Sequence, residues 1–464
     1  MTLPTTRVDT DTIGDYYTII PHPTEARVLL IAGDGGYALP HLVPHKPDFA
    51  FAEPINRAMK IEFGLDVTTL ACVYHANARD DGQGRYAFAL ETHSPNWKAP
   101  VDARWIGQDE LTAVQGMSPE QCHMVETYFD WLADDSPRRV PWARGGWFDE
   151  AVAWIDSQLA ALGLEASGPV EQVRTWARSC TLRVNTKEGR FYFNAVPSSS
   201  TYVAVVTRVL AQRHPDNIPQ VLAVDVAQGW MLLRAFDGTP LAGVQDIGHW
   251  EEAVRQYARI QIDLTDHTQN LVALGCPDRH VDQITMQIDR LLGDNDLVSP
   301  DSHNGLTRKE FDSLHDRRSE LKSMCYDLLL SDIPMSLEHG NFRPDNVIES
   351  GSHWQYFDWT ESAVTHPFFD MFFFLLTVEA QLPDHPDART RLRDAYLESW
   401  TAYQPLEALI QVFQTAMPVA ALHHALIYHR FVLPRMESRA RWQIAPHLNH
   451  LLRLLLDLME QSSL

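Results

Sequence analysis

Residues 337–347 read Leu-Glu-His-Gly-Asn-Phe-Arg-Pro-Asp-Asn-Val, and residues 356–359 read Tyr-Phe-Asp-Trp. A histidine–glycine turn is followed five residues after Asn341 by a second asparagine, then by a short apolar strand and an aspartate. Polar groups packed this closely, in a region otherwise patterned for helix, mark a loop that carries chemistry rather than a plain connection.

The surrounding composition narrows the classes. The chain has 464 residues, 45% hydrophobic and 21% charged, which is ordinary for a globular protein of several folding units. Its most apolar run, residues 368–378, is about half the ~20 residues a membrane span needs, so it is expected to be a buried core helix. A formal charge of −23 argues against a phosphate-backbone or membrane partner, though it still permits a local anion pocket. Cys72, Cys122, Cys180, Cys276 and Cys325 are scattered and odd in number, as expected of reduced cytoplasmic thiols. Residues 1–12 show no export or import pattern, which points the same way.

Three blocks are expected. The first spans residues 1–135, with strands at 26–32 and 87–92, a helix at 55–63, and a closing helix entered through Ser118-Pro119-Glu120-Gln121. A polar, proline-bearing linker covers 134–141. The second, residues 146–240, opens with a helix at 149–162 that stops at Gly163. Strands at 180–184 and 190–195, a helix at 201–212, and strands at 221–226 and 230–234 follow. The third, residues 241–464, is mostly helical around the island. This is an α+β chain with a small β-rich lobe and a large α-rich lobe.

Phosphoryl transfer from ATP needs a carboxylate at the acceptor hydroxyl, an Asn and an Asp on Mg²⁺, and a Lys on the phosphates. His339-Gly340-Asn341 with Asn346, then Phe357-Asp358-Trp359, then His366-Pro367-Phe368-Phe369-Asp370 resembles the signature of the aminoglycoside phosphotransferase and choline kinase group. That signature is H-G-D-x-x-x-x-N, I-D-W and G-D-P-x-x-D-L. The resemblance covers residues 146–464 and implies a two-lobed, protein-kinase-like fold with ATP near residues 231–237, beside Met231 and Leu233. It implies Asn346 and Asp358 as Mg²⁺ ligands, a structural role for His339 in the catalytic loop, Asp370 as a brace for the next helix, and Gly340 as the point where the catalytic backbone turns.

Three departures stand out. Asn341 occupies the position of the catalytic Asp, and an amide does not take a proton as a carboxylate does; such a base contributes about 10²–10⁴-fold. The strand Phe191-Tyr192-Phe193-Asn194-Ala195 has Asn194 where the family has its phosphate-binding Lys. The Glu that pairs with that Lys aligns with Ala204, and residues 195–213 contain no acidic side chain. Loss of both partners is coherent, because either alone would be an unpaired charge. Lys187 in the nearby turn and Asp345 beside Asn346 are weaker substitutes. His423, His424 and His429 lack the three- or four-residue spacing that shares a helix face, so they read as ordinary helix histidines.

The first block resembles a degenerate Nudix domain. The helix Arg57-Ala58-Met59-Lys60-Ile61-Glu62-Phe63-Gly64-Leu65 keeps only Glu62 of the acidic box, whose other positions are Val43, Phe49, Ala58 and Ile61. One carboxylate does not hold a catalytic Mg²⁺ cluster, so hydrolase activity is not expected. The plainer reading is a small α/β module that caps the lobes.

Together these readings favour a pseudokinase that binds a small-molecule ligand or scaffolds a protein partner. The alternative is an active ATP/Mg²⁺-dependent phosphotransferase on a hydroxylated, cationic metabolite with a non-standard catalytic residue. Transfer of another group, such as a nucleotidyl unit, is a third class. Whether ATP or Mg²⁺ binds, and the oligomeric state, are left open by the sequence.

Overall fold

Large and small apolar residues alternate through Tyr86-Ala87-Phe88-Ala89-Leu90, and this period of two decides the first layer of the fold. The computed structural model describes residues 14–33, 35–44, 48–76, 84–297, 305–351 and 353–462; residues 1–12, read above for targeting, lie outside these. The first block contains β1 (Gly14–Ile19), β2 (Val28–Gly33), β3 (Gly36–Ala38), β4 (His41–Leu42), α1 (Glu53–Phe63), β5 (Val67–Ala76), β6 (Gly84–Thr92), β7 (Arg104–Ile106) and α2 (Pro119–Ala133). One sheet runs β4-β1-β6-β5, with β1 and β6 parallel, and a second runs β3-β2-β7. On β6, Phe88 and Leu90 pack with Ile55 and Met59 of α1. Ala87 and Ala89 face Met124, Val125 and Tyr128 of α2 on the other side. The helix ends obey local rules. Gly64, at φ 64°, closes α1 by returning its N–H to Lys60, and the Ser118 hydroxyl accepts the Gln121 N–H at 3.2 Å to open α2.

The second block holds α3 (Trp147–Ala161), β8 (Glu171–Thr175), β9 (Cys180–Thr186), β10 (Gly189–Ala195), α4 (Tyr202–Arg213), β11 (Val221–Asp225) and β12 (Trp230–Arg234). Its antiparallel sheet has the order β11-β12-β10-β9-β8. Phe191, Phe193, Trp230 and Leu232 cover one face with Trp147, Ile155 and Leu159 of α3. Strand alternation sends Asn194 and its register partner Met231 to the opposite face, where α4 lies. The sequence pattern did not reveal β8, because Glu-Gln-Val-Arg-Thr is too polar to signal a strand.

The remainder comprises β13 (Thr239–Pro240), α5 (Ile247–Leu264), α6 (Thr268–Ala273), α7 (Val281–Leu291), α8 (Arg308–Asp316), α9 (Arg318–Leu329), β14 (Ser336–Glu338), β15 (Val347–Ser350), β16 (His353–Tyr356), β17 (Ala363–Thr365), α10 (Asp370–Leu376), α11 (Val378–Gln381), α12 (Ala388–Glu398), α13 (Leu406–Ile427) and α14 (Ala445–Ser462). These helices share one large apolar core. The run read as a core helix is a 3₁₀ turn at Pro367–Phe369 leading into α10, and Asp370 to Leu375 are all buried. No helix among the described residues is long and apolar enough to cross a membrane. All five cysteines are free.

The first block seals an open sheet edge. β8 would expose a row of backbone groups, but Ala52 N–H donates to Val173 O at 3.1 Å and Thr175 N–H to Ala50 O at 2.8 Å. Gln172, buried, clamps the contact: its Nε2 donates to Thr69 O at 2.9 Å, while its Oε1 accepts from Thr69 N at 2.8 Å and Asn56 Nδ2 at 3.1 Å. Replacing Gln172→Leu strands these buried groups, each worth about 1–3 kcal/mol. The expected outcome is a lower urea midpoint and faster proteolysis in the first block; an unchanged midpoint would show that the clamp contributes nothing.

Candidate active site

The loop after β14 is built around one carboxyl group. Asp370 Oδ2 accepts the His339 N–H at 2.9 Å and Gln261 Nε2 at 3.0 Å, and Oδ1 accepts the Gly340 N–H at 3.0 Å. The Tyr257 hydroxyl also donates to it. Burial, with Glu338 close by, pushes the Asp370 carboxyl well above its ordinary value against the pull of these donors. Asp370 thus braces the loop itself, and not only the helix it opens. Gly340 sits at φ 75°, and a Cβ there would stand 2.4 Å from the Glu361 carbonyl oxygen, so only glycine fits.

His339 is fully buried. Its Nε2 donates to the Phe357 carbonyl at 2.8 Å, and its Nδ1 accepts the Asn341 N–H at 3.3 Å. Burial lowers its pKa to about 4, which leaves a neutral strut between the loop and the strand that delivers Asp358. Asn341 is half-buried, and its main-chain oxygen accepts Asn346 Nδ2 at 2.8 Å. Asp358 takes a left-handed conformation at φ 66°, which is uncommon for a non-glycine residue, and its Oδ1 accepts the Thr360 hydroxyl at 2.6 Å. The loop therefore brings His339, Asn341, Asn346 and Asp358 into one island. Asn346 and Asp358 each keep oxygen donors of the kind Mg²⁺ takes.

The opposite wall differs in character. Asn194 Oδ1 is buried without a hydrogen-bond partner. Its register partner Met231 belongs to an apolar cluster with Val196, Val203 and Ala204, against which Leu233 packs. Lys187 is exposed at the β9–β10 turn, roughly 17 Å along the strand from Asn194 at the strand rise. Asp345 is exposed on the loop's outer side.

Two features escaped the sequence reading. Arg178, in the turn between β8 and β9, is buried and pairs with Glu361 through Nε at 3.1 Å and through Nη2. Because 183 positions separate the partners, no local pattern reveals this pair. The histidine reading also needs correction. His423 and His424 do meet a shared partner, because β14 supplies Glu338: Oε2 lies 2.9 Å from His423 Nε2 and Oε1 3.5 Å from His424 Nε2. All three are buried, their ligand atoms lie within 4.8 Å of one another, and the set is one that a metal ion could use. Spacing along one helix was the wrong test for a cluster completed from another element. His429 is separate, bonded to Asp294 at 2.7 Å.

Residues 165–409 match the model of a family described as the phosphotransferase enzyme family. Among solved structures, the macrolide 2'-phosphotransferase of Brachybacterium faecium aligns at 16% identity and a TM-score of 0.43, covering 65% of this chain and 98% of that one. The choline kinase of Cryptosporidium parvum aligns at 11% identity and 0.46, covering 68% and 97%. The ethanolamine kinase of Plasmodium vivax aligns at 11% and 0.45, covering 63% and 82%. No curated protein matches the sequence.

Buried neutral histidines set a pH dependence. Burial lowers His339 to about 4 and His366 and His424 to about 3, whereas unfolded histidine titrates near ~6.5. On unfolding below about pH 6.5 each takes up a proton that the folded chain refuses, so stability is full above that value and falls on acidification. Each contributes up to about 1.4 kcal/mol per pH unit. Urea midpoints should drop markedly between pH 7.5 and pH 5; equal midpoints would contradict the neutral assignment.

Proposed function

The chain belongs to the phosphotransferase enzyme family, and from that premise we infer that it is a pseudokinase, a cytoplasmic ligand-binding or scaffolding protein built on the family's fold. In this reading residues 146–240 are the small lobe, 241–464 the large lobe, and 1–135 a degenerate Nudix-like domain that caps the small lobe's sheet edge. The observation that carries it is the wall opposite the loop. Where the family places a Lys–Glu ion pair, Asn194 presents an unpartnered buried oxygen beside Ala204 and Met231 in an apolar cluster. An ion pair cannot be lost one partner at a time without stranding a buried charge. An all-neutral wall is therefore a settled arrangement, not a partial defect.

Asn341 adds a second loss. Its amide neither accepts the acceptor's proton nor brings negative charge to it, which removes about 10²–10⁴-fold of rate. Arg178 and Glu361 pair across the same region, tying the β8–β9 turn to the segment just after Asp358. Bound Mg²⁺ would supply charge neutralisation to ATP phosphates, with Asn346 and Asp358 as its protein ligands. On this chain the residues hold the loop, while Asn194, at the Lys position, brings no charge to a phosphate.

A second reading has one observation in its favour. Asn346 and Asp358 keep their place, and Asp358 is held at a strained left-handed backbone angle, as a working metal ligand would be. That supports an ATP/Mg²⁺-dependent phosphotransferase using a non-standard residue.

Incubation with ATP, Mg²⁺ and a panel of macrolide, aminoglycoside, choline and ethanolamine acceptors separates the two. The pseudokinase reading expects no phosphorylated product from the native chain. It also expects none from Asn341→Asp alone, because the Lys position remains neutral. Steady product formation that Asp358→Ala abolishes would overturn it.

A further inference from the structure

Arginines gather where the three blocks meet, although the chain as a whole carries −23. A cavity of about 500 Å³ lies there, and Arg138, Arg139, Arg178, Arg435 and Arg439 line it against one carboxylate, Glu437. The side chain of Arg139 is buried and stacked 4.3 Å from the Trp131 ring centre; its Nη2 pairs with Glu437 at 3.3 Å, while its Nε has no hydrogen-bond partner. Among the described residues Arg138, Arg435 and Arg439 form no ion pair with a carboxylate. A smaller adjoining pocket of about 250 Å³ shares Arg178 and Arg435 and adds Arg279, whose Nη1 is also buried and unpartnered, together with the carboxylates Asp278 and Glu361. Glu437 and Glu361 offset Arg139 and Arg178, but Arg138, Arg435 and Arg439 remain, and like charges converging on a partly enclosed space repel one another unless an anion stands between them.

The remaining walls define the anion further. Trp131, Trp142 and Trp176 contribute indole surface, and Phe49 comes from the first block. Flat aromatic walls with guanidinium groups suit a flat ring bearing a negative group, which stacks on both. The volume falls in the range of small-molecule sites. A polyanion such as nucleic acid is disfavoured, because beyond the cavity it would meet the acidic surface.

We propose that this junction binds a small organic anion: a planar ring carrying a phosphate or carboxylate group. The inference goes beyond the reading of the phosphate-transfer cleft and stands whether or not that cleft works. The two are physically linked, however. An occupant shares Arg178 with Glu361, and the Glu361 main chain packs directly on Gly340.

Calorimetric titration of the full chain with 1-naphthyl phosphate at low salt tests this, with 1-naphthol and inorganic phosphate as comparison probes. The expected result is saturable binding of one equivalent that quenches tryptophan fluorescence, weakens with added salt, and exceeds that of either comparison probe. Arg435→Glu combined with Arg439→Glu changes two exposed side chains. It should weaken binding about tenfold or more, about 1.4 kcal/mol, while leaving the melting temperature unchanged. Absence of saturable binding, equal binding by the double variant, or naphthol binding as tightly as its phosphate would each overturn the proposal.

Discussion

Asp370, sealed from water at the start of α10, receives the main-chain amides of two successive loop residues and the side chains of Gln261 and Tyr257. Much of the molecule's centre depends on that convergence. A buried polar group is costly when left unsatisfied, and here each donor is buried too, so the set forms together or not at all. Gln261 also donates to the main-chain oxygens of Leu337 and Pro367, and Tyr396 donates to Pro367 at 3.1 Å. Helices α5, α10 and α12 and strand β14 are thereby fixed to the loop that carries Asn341 and Asn346. His339 extends the network to Phe357 and so sets where Asp358 emerges.

This frame keeps the loop ordered on its own hydrogen bonds. Its order comes from neutral struts and buried hydrogen bonds, none of which needs a phosphate or a metal. The sheet side is a separate structure with a separate logic. There the question is whether charge faces charge, and Asn194, Ala204 and Met231 answer with apolar contact and one unpartnered amide oxygen.

Much of the architecture was legible in the sequence because its signals are local. Ser118 and Gly163 mark helix ends, and the alternation in 190–195 fixes which side chains face α3 and which face α4. The island around residues 337–359 was legible because its residues sit at fixed spacing on one loop. What stayed hidden is non-local. Arg178 and Glu361 are 183 positions apart. Glu338 meets His423 and His424 only because β14 crosses α13, and β8 is a strand whose polar residues are stabilised by a neighbouring block rather than by its own pattern. The junction cavity combines residues from all three blocks, so no single segment announces it.

The central claim is that the loop survives as a frame while its capacity to hold a nucleotide's phosphates has gone. Calorimetric titration of ATP into the native chain, with and without Mg²⁺ and alongside Asp358→Ala, addresses that claim most directly. The account predicts no Mg²⁺-dependent component of ATP binding, and the same isotherm for both proteins. Mg²⁺-dependent binding by the native chain that disappears in Asp358→Ala would contradict it.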